Sequence, residues 1–215
     1  MNDARHDILD RIRRAQQPAN APADTASVEQ RLHARPRGPQ PAFDGSFIDR
    51  FARKTEATAG TFARVSSADG TAQAVLDYLQ QHALPWSLVS AADSFLDTLP
   101  WPGALAREVR AAEPQDVTAL SVAYAGVAET GSLALLAQAS TPTTLNFLPD
   151  NYLCVLRTDR IVARMEDVWD LIRREQPGMP RALNFITGPS RTADVEQTIQ
   201  LGAHGPRRLH IILLD

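Results

Sequence analysis

The stretch from Leu183 to Asp215 constrains the fold more than any other. Leu183-Asn184-Phe185-Ile186 reads as an apolar strand. It runs into a Gly188-Pro189 turn, after which the spacing predicts a short helix opening at Thr192. A second glycine–proline turn follows, Gly202-Ala203-His204-Gly205-Pro206, and Leu209 to Leu214 reads as a buried strand. Polar groups of several kinds are therefore crowded onto two turns beside a sheet, where α/β proteins usually place a ligand.

The chain has 215 residues, enough for one good-sized domain or one domain with an appendage. No apolar run approaches the roughly 18 to 20 residues that span a bilayer. The polar start, Met1 to Asp7, has no apolar segment after it, which makes a cytoplasmic location the expectation. A net charge of −3 with no dense basic face argues against nucleic acid as a partner. Lys54 is the only lysine and falls on a predicted surface helix, so Schiff-base and P-loop chemistry are set aside. Cys154 is the only cysteine and lies in an apolar run, Tyr152 to Leu156. It reads as a buried, inert thiol, and it excludes an intrachain disulfide, a multi-thiolate zinc site and an iron–sulfur cluster.

Residues 4–16 pattern as a helix with Ile8, Leu9 and Ile12 on one face. Residues 18–42 hold five prolines and read as a linker or loosely ordered arm. The expected division is thus an N-terminal helix and Pro-rich arm over 1–42, with a domain over 43–215. Helices are predicted from Phe47 through Phe62, over 71–82, near 103–112 and over 165–174. Val65 is read as opening an extended piece. Strands are predicted at 86–89, 133–136, 153–156, 160–163, 185–186 and 211–214. The pair at 153–163 is read as joined by the Thr158-Asp159 turn. Alternating helices and strands give a layered α/β domain, and the short spacing over 133–163 makes the sheet mixed.

Three constellations carry the chemistry. In Ala125-Gly126-Val127-Ala128-Glu129-Thr130-Gly131-Ser132, a carboxylate sits beside a hydroxyl and a glycine turn at a strand edge. Glu129 then suits a general base or nucleophile; equally, Gly131 supplies a tight turn and Glu129 pairs with an arginine. In Gly188-Pro189-Ser190-Arg191-Thr192, a strand end opens into a helix whose free N–H groups and Arg191 can hold phosphate or carboxylate. Against this, Asp194 and Glu196 can satisfy the helix end, and Ser190 or Thr192 can serve as an N-cap. His204, between Gly202 and Gly205, is an acid–base candidate or a carboxylate holder, or a loop histidine bonded to backbone. A Ser190–His204–Asp194 triad can be drawn, but no nucleophile-elbow motif supports it. No dinucleotide fingerprint is present.

These residues resemble the lactate utilisation protein C family, whose module is the LUD domain. The resemblance rests on Gly126 to Leu133, on Leu148-Pro149-Asp150-Asn151-Tyr152, and on Gly188 to Glu196 with Gly202 to Pro206. It covers roughly Phe43 to Asp215. Ser132 stands where the family usually has Thr, and Glu129 where it often has Asp. The resemblance implies a three-layer α/β/α sandwich with a mixed, mostly parallel sheet, similar to the isomerase and CoA-transferase group. It also implies a non-cluster subunit in the oxidation of L-lactate to pyruvate, with no cofactor of its own and with two iron–sulfur partner proteins.

The expected site has Glu129 and His204 as catalytic candidates. Thr130, Gly131, Gly188, Ser190, Arg191, Thr192, Asp194 and Gly205 are expected around a small anionic metabolite, with no metal. Two alternatives stand beside it. One is a stand-alone isomerase- or CoA-transferase-like enzyme with Glu129 as base or nucleophile; the other is a regulatory scaffold with a vestigial pocket.

Overall fold

A computed structural model describes residues 2–15, 25–40, 42–192, 200–202 and 204–215. The chain divides into two units, Met1–Ala42 and Phe43–Asp215. The first contains helices α1 (Asn2–Ala15) and α2 (Thr25–Ala34). The second helix replaces part of the expected loose arm: between the prolines at 22 and 36 the sequence has none, so nothing interrupts the helix. Ile8 and Ile12 on α1, and Val28 and Leu32 on α2, remain exposed.

The second unit begins with α3 (Phe47–Ala57), capped by the Ser46 hydroxyl, which accepts from the Asp49 N–H. The helix was expected to reach Phe62, but Ala59 at φ 62° and Gly60 stop it. Phe62 lies in β1 (Thr61–Val65), so Val65 ends an extended piece rather than opening one. Then come α4 (Ala68–Gln81), β2 (Ser87–Ser90), α5 (Ser94–Thr98) and β3 (Ala106–Val109). The expected helix near 103–112 is therefore a strand; pairing with β2 outweighs the local pattern.

Strands β4 (Thr118–Val122), β5 (Ala125–Val127) and β6 (Ser132–Leu136) follow, with α6 (Thr144–Phe147) and β7 (Asn151–Arg157) after them. Next come β8 (Ile161–Val162), α7 (Met165–Glu175), β9 (Leu183–Ile186), β10 (Arg191–Thr192), β11 (Gln200–Leu201) and β12 (Arg208–Leu214).

The main sheet has the order β1-β12-β7-β4-β2-β3, and every pairing in it is parallel. Its central strands are covered on both faces. From Leu209 to Leu214, and from Asn151 to Leu156, every residue is buried, which is why these runs are continuous rather than alternating in hydrophobicity. Helices lie on both sides of the sheet, giving the α/β/α sandwich. The mixed pairing belongs to a second sheet, β8-β5-β6-β9, where β5 pairs parallel with β8 and antiparallel with β6, and β6 pairs antiparallel with β9. The predicted hairpin over 153–163 is absent for this reason: β7 sits in the main sheet and β8 in the second, and the turn between them passes the chain from one to the other.

Neighbouring strands β2 and β4 send their connections opposite ways, β2 outward to β3 and β4 across to β7. The carboxyl ends of β2 and β4 thus form a topological switch point.

His210, on β12, is buried between Thr61 and the Tyr78 ring; its Nδ1 lies 2.8 Å from Thr61 Oγ1, and its ring centroid 4.7 Å from that of Tyr78. Desolvation, with a smaller contribution from His82, pushes its pKa down from 6.5 to about 4. The unfolded chain therefore binds a proton that the folded chain refuses between those values. The resulting stability is fully present above pH 6.5 and is lost as pH falls towards 4. Thermal melts from pH 7 to pH 4 should show a loss of up to about 3 kcal/mol from this group. His210→Gln should flatten that part of the profile, and an unchanged slope in the variant would rule the assignment out.

Candidate functional site

Two of the sequence constellations meet at the carboxyl end of α3. Residues 128–131 form the loop joining β5 to β6, closed by Gly131 N–H donating to Val127 C=O at 2.8 Å. Gly131 has φ 74°, and a Cβ placed there would sit 2.7 Å from Lys54 Cβ and 2.8 Å from the Lys54 carbonyl carbon. Gly188, after β9, has φ 84°, and its Cβ would sit 2.7 Å from the Thr58 carbonyl oxygen. Glycine is required at both places twice over, for the left-handed backbone and for the close approach of a helix end.

A run of hydroxyls ties the two turns together. Thr130 Oγ1 lies 2.6 Å from Ser132 Oγ, which lies 2.5 Å from Thr187 Oγ1. The register puts them there: Leu133 pairs with Ile186, so Ser132 and Thr187 face each other one step beyond. Ser132 is buried, and these contacts satisfy its hydroxyl.

Glu129 stands at the edge of this cluster. Its N–H extends the β5–β8 pairing by donating to Ala163 C=O at 3.0 Å. Its carboxylate lies 3.6 Å from an Arg164 guanidinium that is only 14% exposed, against 33% for the glutamate. The same guanidinium lies 5.2 Å from the Phe43 ring centroid, and Arg50 covers that ring at 4.0 Å. Glu129 is therefore the arginine-paired carboxylate that the turn reading allowed. Arg164 carries no motif in the sequence; it was not found because its partner lies 35 positions away in the chain, across a strand pairing.

The second half of the expected site is built around Ser190. Its N–H donates to Pro206 C=O at 2.8 Å, its C=O accepts from Gly202 N–H at 3.2 Å, and its hydroxyl accepts from His204 N–H at 3.2 Å. Gly205 lies against Ser190 Cβ and the Phe147 ring. Ser190 thus clasps the 202–206 turn, and it meets the His204 backbone, with no triad formed among the described residues. The His204 side chain is exposed, as is Arg191. Arg191 and Thr192 are extended and pair with Leu201 and Gln200. The helix predicted to open at Thr192, with Asp194 and Glu196, lies outside the described residues.

The Leu148–Tyr152 block is a structural pin. Asn151 is buried where β4, β7 and β12 begin. Its amide donates to Val117 C=O at 3.0 Å, and its Oδ1 accepts from Arg208 at 3.1 Å and from the Tyr78 hydroxyl at 3.4 Å. Asp150 meets exposed Arg207 at 3.4 Å. Tyr152 hydrogen-bonds Ser121 in the core, and Cys154 beside it is fully buried, with burial pushing its thiol up to about 12. Among the described residues there is no cluster of three or more candidate metal ligands, and no helix is long and apolar enough to cross a membrane.

The model of the LUD domain matches residues 48–214. Lactate utilization protein C of Anoxybacillus flavithermus is 37% identical over 90 residues, 41% of this chain and 40% of that one. The Bacillus subtilis protein of the same name is 33% identical over 92 residues, 41% of this chain and 38% of that one. An uncharacterized protein of Neisseria meningitidis serogroup B is 35% identical over 94 residues, 44% of this chain and 40% of that one. The chain therefore spans about half or less of the length of these relatives. The crystal structure of a DUF162 family protein from Deinococcus radiodurans superposes with a TM-score of 0.59 at 20% identity, covering 79% of this chain and 96% of that one, which shows the shared fold.

The close approaches give a direct test. Gly131→Ala and Gly188→Ala should each cost about 2–4 kcal/mol in urea unfolding, because strained backbone and a backbone clash add. Gly103→Ala, where a Cβ meets nothing within 4 Å, should change stability by less than about 0.5 kcal/mol. Equal effects at all three positions would remove the packing argument.

Proposed function

This chain belongs to the LUD domain family, and we propose that it serves as a cytoplasmic, non-cluster subunit of an L-lactate utilisation system. In this reading it works beside two iron–sulfur proteins that carry the electrons as lactate is oxidised to pyruvate, and it holds a small anion at the paired turns. The relatives named lactate utilization protein C support the system. The sequence supports the division of labour: its one cysteine is sealed in the core, so it supplies no thiolate for a cluster.

The observation that carries the anion reading is the joining of the turns. The Thr130–Ser132–Thr187 hydroxyls fix residues 129–132 against 187–188, and Ser190 fixes the 202–206 turn, which leaves Arg191 and His204 exposed on a braced frame. Thr130, Gly131, Gly188, Ser190 and Gly205 would then shape the site rather than react. Thr192 and Asp194 remain in the proposal as neighbours of Arg191 in sequence.

The alternative of a stand-alone enzyme with Glu129 as base or nucleophile is not favoured by the geometry. The Glu129 carboxylate is already engaged by the largely buried Arg164 guanidinium, 3.6 Å away.

Deleting the gene should abolish or severely slow growth on L-lactate while leaving growth on pyruvate intact. Wild-type protein should restore it, and Arg191→Gln should restore it at least several-fold less well. Normal growth of the deletion strain on L-lactate, in a background with no second LUD-domain gene, would sink the reading. Pull-down of the tagged chain from lactate-grown cells should bring down iron–sulfur proteins, seen by their visible absorbance.

A further inference from the structure

We propose that the crevice beyond the carboxyl ends of β4 and β7 is a second, separate site, built to bind a small organic carboxylate that carries a further hydroxyl or amide group. The crevice has a volume of about 350 Å³ and opens at the switch point between β2 and β4, where open α/β sheets receive ligands. Its apolar floor is Val122, Leu135 and Leu136. None of the family's motif turns lines it.

Asn146 carries the inference. It lines the crevice, it is 5% exposed, and its carboxamide makes no hydrogen bond to any described residue; its backbone N–H is engaged on Thr143 C=O. The carboxamide is not among the sealed, partnerless polar atoms of the described residues, so it is open to the crevice and available to a ligand there. A ligand with both donor and acceptor atoms satisfies it from outside the chain.

Arg157 supplies the charge. It stands at the end of β7 and meets Asp159, two residues on, with two nitrogens, at 3.2 and 3.0 Å. Both side chains are about 60% exposed, so the pair is screened and readily exchanged for a ligand carboxylate. The neighbouring Arg160 is less exposed and tied down at more points. It grips Glu175 with two nitrogens at 3.0 and 2.8 Å and donates through Nε to Tyr124 C=O, while the Tyr124 hydroxyl donates to the same glutamate at 2.9 Å. Hydrogen bonding from Arg160 holds Glu175 down at about 2. That wall is fixed and its charges cancel.

The remaining charge on the crevice is the Asp93 carboxylate, whose Oδ1 accepts from Phe95 N–H. One exchangeable arginine facing one carboxylate suits a monoanion with a hydroxyl to donate to Asp93, and it disfavours a phosphate dianion.

The test is an NMR titration of the full chain with glycolate, D-glycerate and inorganic phosphate, read at the Ala123 and Tyr124 amides. Saturable shifts there with the two carboxylates are expected. Arg157→Gln, a surface change that leaves the core alone, and Asn146→Ala should each weaken binding at least fivefold. No saturable shift with either carboxylate would overturn the proposal. So would affinity unchanged by Arg157→Gln, or binding of phosphate alone. Shifts centred on Ser190 to Thr192 with Ala123 and Tyr124 unmoved would place the carboxylate on the turns and overturn it while leaving the lactate-utilisation reading standing.

Discussion

The end of α3 pressed against two glycines is the contact on which the carboxyl-terminal unit depends. Phe51, fully buried, belongs to the core of the main sheet and also reaches Gly126 on β5. One turn later Lys54 meets Gly131, and Thr58 meets Gly188. A single helix of 11 residues therefore ties the parallel sheet to the smaller mixed one. The hydrogen bonds of its last turn are closed internally, with Thr58 Oγ1 and Gly60 N–H both donating to Thr55 C=O at 2.9 Å. The backbone of the helix end can then abut the two turns, while the buried Thr55 hydroxyl is left without a hydrogen-bond partner among the described residues.

Residues that look reactive in the sequence turn out to be engaged in holding backbone. Ser190 uses its N–H, C=O and hydroxyl on one turn. Ser132 is buried between two other hydroxyls, and Asn151 spans the starts of three strands. A buried network of this kind fixes one geometry because each member satisfies the next, and losing one leaves its neighbours unpaired at a cost of about 1–3 kcal/mol. What such a frame leaves outward, Arg191 and His204, is small in number but well braced.

The buried strands were legible in the sequence because burial on both faces writes itself as a continuous apolar run, as at Leu153–Leu156 and Leu209–Leu214. Helices α1, α4 and α7 were legible by periodicity. The region near 103–112 was misread because Ala106–Val109 is an exposed edge strand, with a local pattern too weak to compete with its pairing to β2. The hairpin over 153–163 was misread because sequence proximity cannot show that two strands join different sheets. Within the candidate site, the glycines and the Glu129 turn could be read from local chemistry. Their closeness to one another could not, since it depends on the β6–β9 register and on α3, some 75 to 130 residues away in sequence. Asn146 gave no signal at all: an asparagine in Thr144-Leu145-Asn146-Phe147 looks like an ordinary loop residue until its burial and lack of partner are seen.

Electrostatics links the two proposed sites. The carboxyl end of α3 carries the negative pole of its dipole and presents the Thr58 carbonyl towards Gly188. An anion approaching the glycine faces from that side meets about 0.3–1 kcal/mol of repulsion, and the Lys54 charge in the last helical turn is needed to offset it. The proposed anion binding on the turns would draw on Arg191 and Arg207, which are exposed. The crevice also has a helix carboxyl end in its wall, Glu175 of α7, which Arg160 pairs. Arg157 and Arg207 are held alike, each in an exposed pair, with Asp159 at 3.0 Å and with Asp150 at 3.4 Å. Both proposed sites would then draw on exposed arginines, so anion binding at either should weaken as ionic strength rises.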